Sequence, residues 1–221
     1  MATSARGTRE RRLRREAWGF SAGSVCFLVG ALPAYAAWAG AVGTGATFVV
    51  GAVLFTAAAV VQLALSGRRP PGPGTAPADR WDWWSAAVQL LGTLLFNVST
   101  TMALAAAVAT PGDVGAGWRP DAFGSAAFLV SSGLALVATA DRGRLWDRDA
   151  RTWHGTWLNV AGSVAFAASA VGAYVAPGTD ADLSPWWSTT GTLVGACCFL
   201  VAALLSRRAA EAGPGPLSPR G

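Results

Sequence analysis

The sequence predicts an all-α transmembrane fold, a six-helix bundle built from three tandem two-helix hairpin repeats, and three observations predict it. The first is a short motif, Gly-small-x-x-Phe, that occurs once in each of six apolar stretches: Gly23 to Phe27, Gly51 to Phe55, Gly92 to Phe96, Gly124 to Phe128, Gly162 to Phe166 and Gly195 to Phe199. The first, third and fifth copies begin 69 and 70 residues apart, and the second, fourth and sixth begin 73 and 71 apart, which is self-similarity with a period of two helices. The second is that 52% of residues are hydrophobic and 13% charged, with the charges excluded from long stretches. The third is that 16 of 17 arginines fall in alternate connections, as the positive-inside rule requires of a multi-pass protein.

Taken in order, residues 1–16 form a basic segment and residues 17–66 the first hairpin, with spans at 17–38 and 45–66. Residues 67–83 are a Pro/Gly-rich loop, and 84–140 the second hairpin, with spans at 84–109 and 122–140. Residues 141–154 are a second basic loop, 155–206 the third hairpin, with spans at 155–176 and 187–206, and 207–221 a disordered cytoplasmic tail whose residues 213–221 are too rich in Pro and Gly to fold. Each span meets the ~20 apolar residues that a bilayer core demands, and none contains an ionisable Asp, Glu, Lys, Arg or His. Strand-like alternation is absent, so helices are expected to satisfy the backbone inside lipid. The Ala34-Tyr35-Ala36 sequence has the form of a signal cleavage site, but the first span carries its own copy of the motif and completes a hairpin, so it is expected to be retained.

The charge distribution places both termini in the cytoplasm and Asp113, Asp121, Asp180 and Asp182 on the opposite face. The basic segments read as topology determinants that also touch anionic lipid, and not as a nucleic-acid surface. Eleven tryptophans near the span ends read as an interfacial belt. Arginine at every basic position, with no lysine and heavy Ala, Gly and Pro usage, points to a GC-rich bacterial genome and hence to a bacterial plasma (inner) membrane.

In lipid the hydrophobic effect does not drive one helix onto another, so association depends on close backbone approach, which Gly followed by Ser, Thr or Ala permits. A residue four positions on returns about 40° from its start, so each Gly makes a notch with the Phe as a knob beside it. An antiparallel neighbour with the same pair can set its knob over that notch. The twelve Gly and Phe positions of the motif are therefore expected to pack helices, in a three-unit ring or a compact bundle with a pseudo-axis along the membrane normal. Because the motif recurs on the returning helix, each unit reads as an older single-helix element duplicated in opposite sense.

Residues 159–205 carry Asn159-Val-Ala-Gly-Ser-Val-Ala-Phe166 and Gly191-Thr-Leu-Val-Gly-Ala-Cys-Cys-Phe-Leu200 on their two helices. This hairpin resembles the small bacterial YrhK-like membrane domain, a two-helix unit with a Gly-Ser-x-x-Phe signature, and the first two hairpins look like diverged copies. The resemblance implies a polytopic plasma-membrane protein of uncharacterised activity. It brings no catalytic residue, cofactor or substrate.

The third span carries the clearest polar stripe: Gln89, Thr93, Asn97, Thr100 and Thr101 share one broad helix face. The favoured reading is interhelical hydrogen bonding; the alternative is a path for a small uncharged solute, with Asn97 as its mid-membrane contact and Gln62, Asn159, Ser131 and Ser132 facing the same interior. His154 reads as an interfacial, helix-starting residue and Asp121 as an N-cap. Cys26, Cys197 and Cys198 read as small apolar packers. No His-Glu-x-x-His, phosphate-cradling loop with Lys or Gly-x-Ser-x-Gly occurs, so no catalytic residue, metal or cofactor is expected. The expected function is non-enzymatic: a structural or partner-binding membrane protein, with a channel or carrier for a small neutral solute as the alternative. A protein partner or a homo-oligomer is left open.

Overall fold

A computed structural model describes residues 2–67, 69–110, 115–147, 153–179 and 181–211, and side chains from residue 7 to residue 206 within those ranges. Asp113, Asp180 and residues 212–221 lie outside the described residues, whereas 207–211, expected in the disordered tail, continue the last helix. The chain forms six helices: α1 (Ala2–Gly30), α2 (Pro33–Ser66), α3 (Pro77–Ala109), α4 (Trp118–Asp141), α5 (Trp153–Gly172) and α6 (Pro185–Glu211). Each packs its backbone against the next in the chain and α6 against α1, and among the described residues other helix pairs meet only through side chains on the axis. Three antiparallel hairpins thus close into a ring, with the starts of α1, α3 and α5 at one end together with most of the described arginines.

The motif sets the ring's geometry. At about 100° per residue, the small residue after each Gly lies about 100° round the helix from it, and the Phe lies between them at about 40°. A helix in a six-membered ring has neighbours about 120° apart with the axis midway, so one motif supplies a face for each neighbour and a knob for the axis. Within each hairpin the glycines meet the opposing Phe. A Cβ on Gly23 would lie 2.5 Å from the Phe55 ring, on Gly51 2.9 Å from Phe27, on Gly124 2.6 Å from Phe96 and on Gly195 2.5 Å from Phe166. The small residues Ser24, Ala52, Thr93, Ser125, Ser163 and Ala196 are all buried. Several make the contacts between hairpins: Ser163 Oγ meets Ser132 Oγ at 2.7 Å, and Ser125 Oγ donates to Phe166 O at 3.4 Å.

Five proline or glycine positions punctuate the helices. Pro33, Pro77 and Pro185 each open a helix, where a missing N–H costs nothing. Gly117 precedes α4 at φ 82°, tight against the Ser99 carbonyl, and Gly40 interrupts α2 at φ 67°.

These breaks move two expected features. The first span does not run through residues 17–38: α1 ends at Gly30, Ala31 and Leu32 turn the chain, and Pro33 starts α2. Residues 33–39, with Trp38 82% exposed, therefore belong to α2 on the near side of the Gly40 kink. Asp121 is not an N-cap, because the left-handed Gly117 starts α4 earlier and leaves Asp121 in its first turn. Four helices, α2, α3, α4 and α6, are long and apolar enough to cross a membrane. In α1 the apolar part begins only at Ala17, and α5 is a 20-residue helix diluted by Gly, Ser, Thr and Asn.

Replacing a notch glycine tests the packing. Gly195→Ala, whose new methyl group would press on the Phe166 ring, is expected to lower stability by ~1–3 kcal/mol. Gly133→Ala, which meets nothing within 4 Å, should be neutral or slightly stabilising through helix propensity. Chemical denaturation in detergent compares the two, and equal effects would remove the notch from the account.

Candidate axial site

All six motif phenylalanines are buried and meet in one cluster on the ring axis. Phe27, Phe96 and Phe166, from α1, α3 and α5, form a triangle with centroid separations of 6.0, 6.0 and 5.8 Å. Phe55, Phe128 and Phe199 form the adjoining layer, with Phe199 at 6.1 Å from Phe55 and 5.8 Å from Phe128. Each hairpin links the layers: Phe27 to Phe55 at 5.5 Å, Phe96 to Phe128 at 5.1 Å and Phe166 to Phe199 at 5.5 Å. The space left among the six rings is about 10 Å³, walled otherwise by Ala52 and Thr93. That is no more than a single water needs, and the wall offers it no polar lining.

A cavity opens on each side of this double layer. At the basic end one of about 200 Å³ is floored by Phe55 and Phe199 and lined by Glu16, Gln62, Gln89, Asn159 and Ser206. At the other end one of about 500 Å³ is floored by Phe27, Phe96 and Phe166, with Ser99, Thr100, Ser169, Ser188 and Thr192 on its walls and Asp121 and Asp182 among its lining. Three hydroxyls in this wall are already bonded, Ser169 Oγ to Ser188 O at 2.6 Å, Thr100 Oγ1 to Phe96 O at 2.8 Å and Thr192 Oγ1 to Ser188 O at 3.0 Å. Trp118 also turns into this cavity and is not a lipid-facing anchor: its Nε1 donates to Ala170 O at 2.8 Å and its ring packs on Tyr174.

The polar stripe of the third span is divided among four surroundings. Gln89 and Thr100 reach opposite axial cavities, Thr93 is buried beside the rings with its Oγ1 bonded to Leu90 O at 2.8 Å, and Thr101 is exposed on the outside. Asn97 lies away from the axis. Its Nδ2 donates to Ala52 O (3.1 Å), Thr56 Oγ1 (2.6 Å) and Thr93 O (2.9 Å), which binds α3 to α2. The reason is angular: one residue beyond Phe96 is about 100° beyond the axis, toward the neighbouring hairpin. Gln62 and Asn159 do face the interior, in the same cavity as Gln89, whereas Ser131 and Ser132 are spent on helix pairing. Ser85 Oγ and Ser131 Oγ each donate to the other's carbonyl at 2.9 Å, joining α3 to α4.

Glu16 is the member of the site that span-by-span reading misses, because it stands one residue before the apolar stretch. It lies seven residues before Gly23, which returns it to the axial face of α1, and heptad spacing from the motif is the signal that finds it. Burial pushes its carboxyl up to about 7. Among the described residues no other titratable side chain lines that cavity. Among the described residues no group of three or more His, Cys, Asp or Glu gathers as a metal site. The described cysteines are unpaired thiols, and His154 starts α5 against Trp153 on an exposed surface.

The fold and its site together define an all-α, multi-pass membrane protein: a ring of helices with an axial cavity at each end and an aromatic plug between them. A scan against protein-family models and searches of curated proteins and of solved structures found nothing that matches the chain.

Asn97→Leu should lower stability by ~1 kcal/mol, the average worth of an interhelical hydrogen bond in a membrane, read as a shift in the denaturation midpoint. The Glu16 carboxyl binds its proton more tightly folded than unfolded, so its contribution is fully present below the ordinary carboxyl range and is lost as pH rises toward about 7. Relative to Glu16→Gln, the wild-type protein should therefore lose thermal stability across that window. A constant difference between the two proteins would show that the carboxyl is solvated.

Proposed function

We propose that the ring is a closed axial pathway for a small neutral solute in a bacterial plasma membrane, with the basic end cytoplasmic. The single observation that carries this reading is the coaxial pair of cavities, separated only by the phenylalanine double layer. A constriction of this kind holds a pathway shut by excluding water, and displacement of a few rings opens it. Neutral cargo suits it because no charged side chain stands in the rings' layer to compensate an ion. The orientation is supported by the arginine distribution, and a YrhK-like kinship by the recurring Gly-Ser-x-x-Phe hairpin.

The second reading, a structural or partner-binding membrane protein, is favoured by the size of the central space. At about 10 Å³ the rings are packed as tightly as a core, and a ring that never opens is a scaffold.

Proteoliposome swelling in glycerol separates them. Phe96→Ala removes a ring that touches Phe27, Phe128 and Phe166 and should raise permeability above wild type. Because such a truncation costs ~3–5 kcal/mol, Phe96→Leu serves as the milder variant, and both are checked for folding. Folded variants and wild type no more permeable than empty liposomes would leave the structural reading standing.

A further inference from the structure

We propose that the cavity at the basic end is a binding site for a small neutral carboxamide or urea-like solute, held by Gln62, Gln89 and Asn159. Its role as the selecting station of a pathway rests on the axial-path reading; its existence as a site does not. Three carboxamides from α2, α3 and α5 converge there above the aromatic floor of Phe55 and Phe199. Helix-pairing amides in this protein are bonded across a seam, as Asn97 is, but Gln62 is not: its Oε1 is buried with no hydrogen-bond partner. A buried acceptor left unpaired costs stability, and rotation of the Gln62 side chain into the cavity lets a ligand N–H supply the missing donor. Gln89 offers the complement. Its Oε1 lies 3.3 Å from Ser131 Oγ, whose one O–H is shared with the Ser85 carbonyl, and its amide N–H groups are left to meet a ligand carbonyl.

One acceptor and one donor, set in a cavity of about 200 Å³, match the C=O and NH₂ of an amide. A cavity of that size takes only a small solute. Charge argues the same way. The described arginines of α1, from Arg9 to Arg15, stand within seven residues of Glu16 on the same helix and oppose a cation, while Glu16 is the one ionisable side chain among the described residues of the wall and opposes an anion. With its carboxyl pushed up to about 7 by burial, Glu16 is only about half ionised near pH 7.

The site follows from the repeat. Gln89 and Asn159 each stand three residues before a motif Gly, on the axial face, and the corresponding residue of the first hairpin is Phe20. Two of three related positions are thus carboxamides, and Gln62 faces them from the returning helix of the hairpin that lacks one.

Equilibrium dialysis of labelled acetamide against the full chain in lipid nanodiscs tests the site, with acetate and ethylammonium as near-isosteric charged controls. Saturable acetamide binding is expected, with neither control binding. Gln62→Leu should weaken it about tenfold and, having removed an unpaired buried carbonyl, should raise the melting temperature without ligand. Asn159→Leu is the second variant, with the same loss of binding. Asn97→Leu, outside the cavity, should leave acetamide affinity within about twofold while lowering stability. Absence of saturable acetamide binding, equal binding of a charged control, or equal effects of Gln62→Leu and Asn97→Leu on binding would overturn the proposal. Binding without permeability would sink the pathway and keep the site. Permeability without binding would do the reverse.

Discussion

Everything in this protein depends on one contact: a phenylalanine ring laid over a glycine on the antiparallel partner helix. In lipid, helices gain no hydrophobic free energy by meeting, so a contact must supply its own dispersion energy through close approach. The missing Cβ makes that possible, since a methyl group on Gly23 or Gly195 would sit 2.5 Å from a ring carbon. The contact is made in both directions within each hairpin, so a hairpin is the smallest unit that fills its own notches. Each hairpin then offers its buried small residues to the next one.

The ring follows from the same five residues. Because Gly and its small neighbour point about 100° apart, each helix turns through nearly the angle a six-membered ring requires, and the Phe between them points inward. Six helices bearing this motif bring six phenylalanines to one axis, and the lumen that a ring would enclose is filled by the side chains that build it. Aromatic pairs at these centroid distances contribute about 0.5–1.5 kcal/mol each beyond area burial, so the plug is also a clasp. Polar groups are sorted by the same angular rule. Positions aligned with the Phe, such as Gln89 and Asn159, reach the axis, whereas Asn97 reaches a seam and Thr101 the outer surface.

Departures from three-fold likeness carry the chemistry. Gln89 and Asn159 occupy related positions, but Phe20 replaces them in the first hairpin and packs on Phe55 at 5.6 Å. Glu16 and Ser85 likewise stand seven residues before their motif glycines. Ser85 is satisfied by Ser131, while Glu16 is left at the cavity wall. The first hairpin is irregular in its backbone as well. Its early turn at Ala31 and Leu32 and the Gly40 kink in α2 have no counterpart in the other hairpins among the described residues. Ser21 and Ser24 on α1 keep buried hydroxyls without partners, although Ser163 at the position matching Ser24 is paired with Ser132. With Thr44 and Gln62 on α2 also unpaired, the first hairpin is the least satisfied of the three among the described residues.

The helical class, the repeat and the pairing of each notch with an opposing knob were legible in the sequence, because they depend on residue spacing along one helix and on the absence of charge from long apolar stretches. The polar residues were legible as a set, and Gln62, Gln89 and Asn159 do share the interior. Their division was not. Whether an amide meets the axis, a seam or the outer surface turns on angular steps of about 40–100°, and those acquire meaning only once the ring's neighbours are in place. The same holds for the first turn, where Pro33 outweighed an unbroken run of apolar residues, and for Glu16, whose seat in a cavity wall is set by helices α2, α3, α5 and α6. Spacing determined how each hairpin closes on itself; only the closure of three hairpins around one axis decided which side chains face an enclosed space, because that space belongs to no single helix.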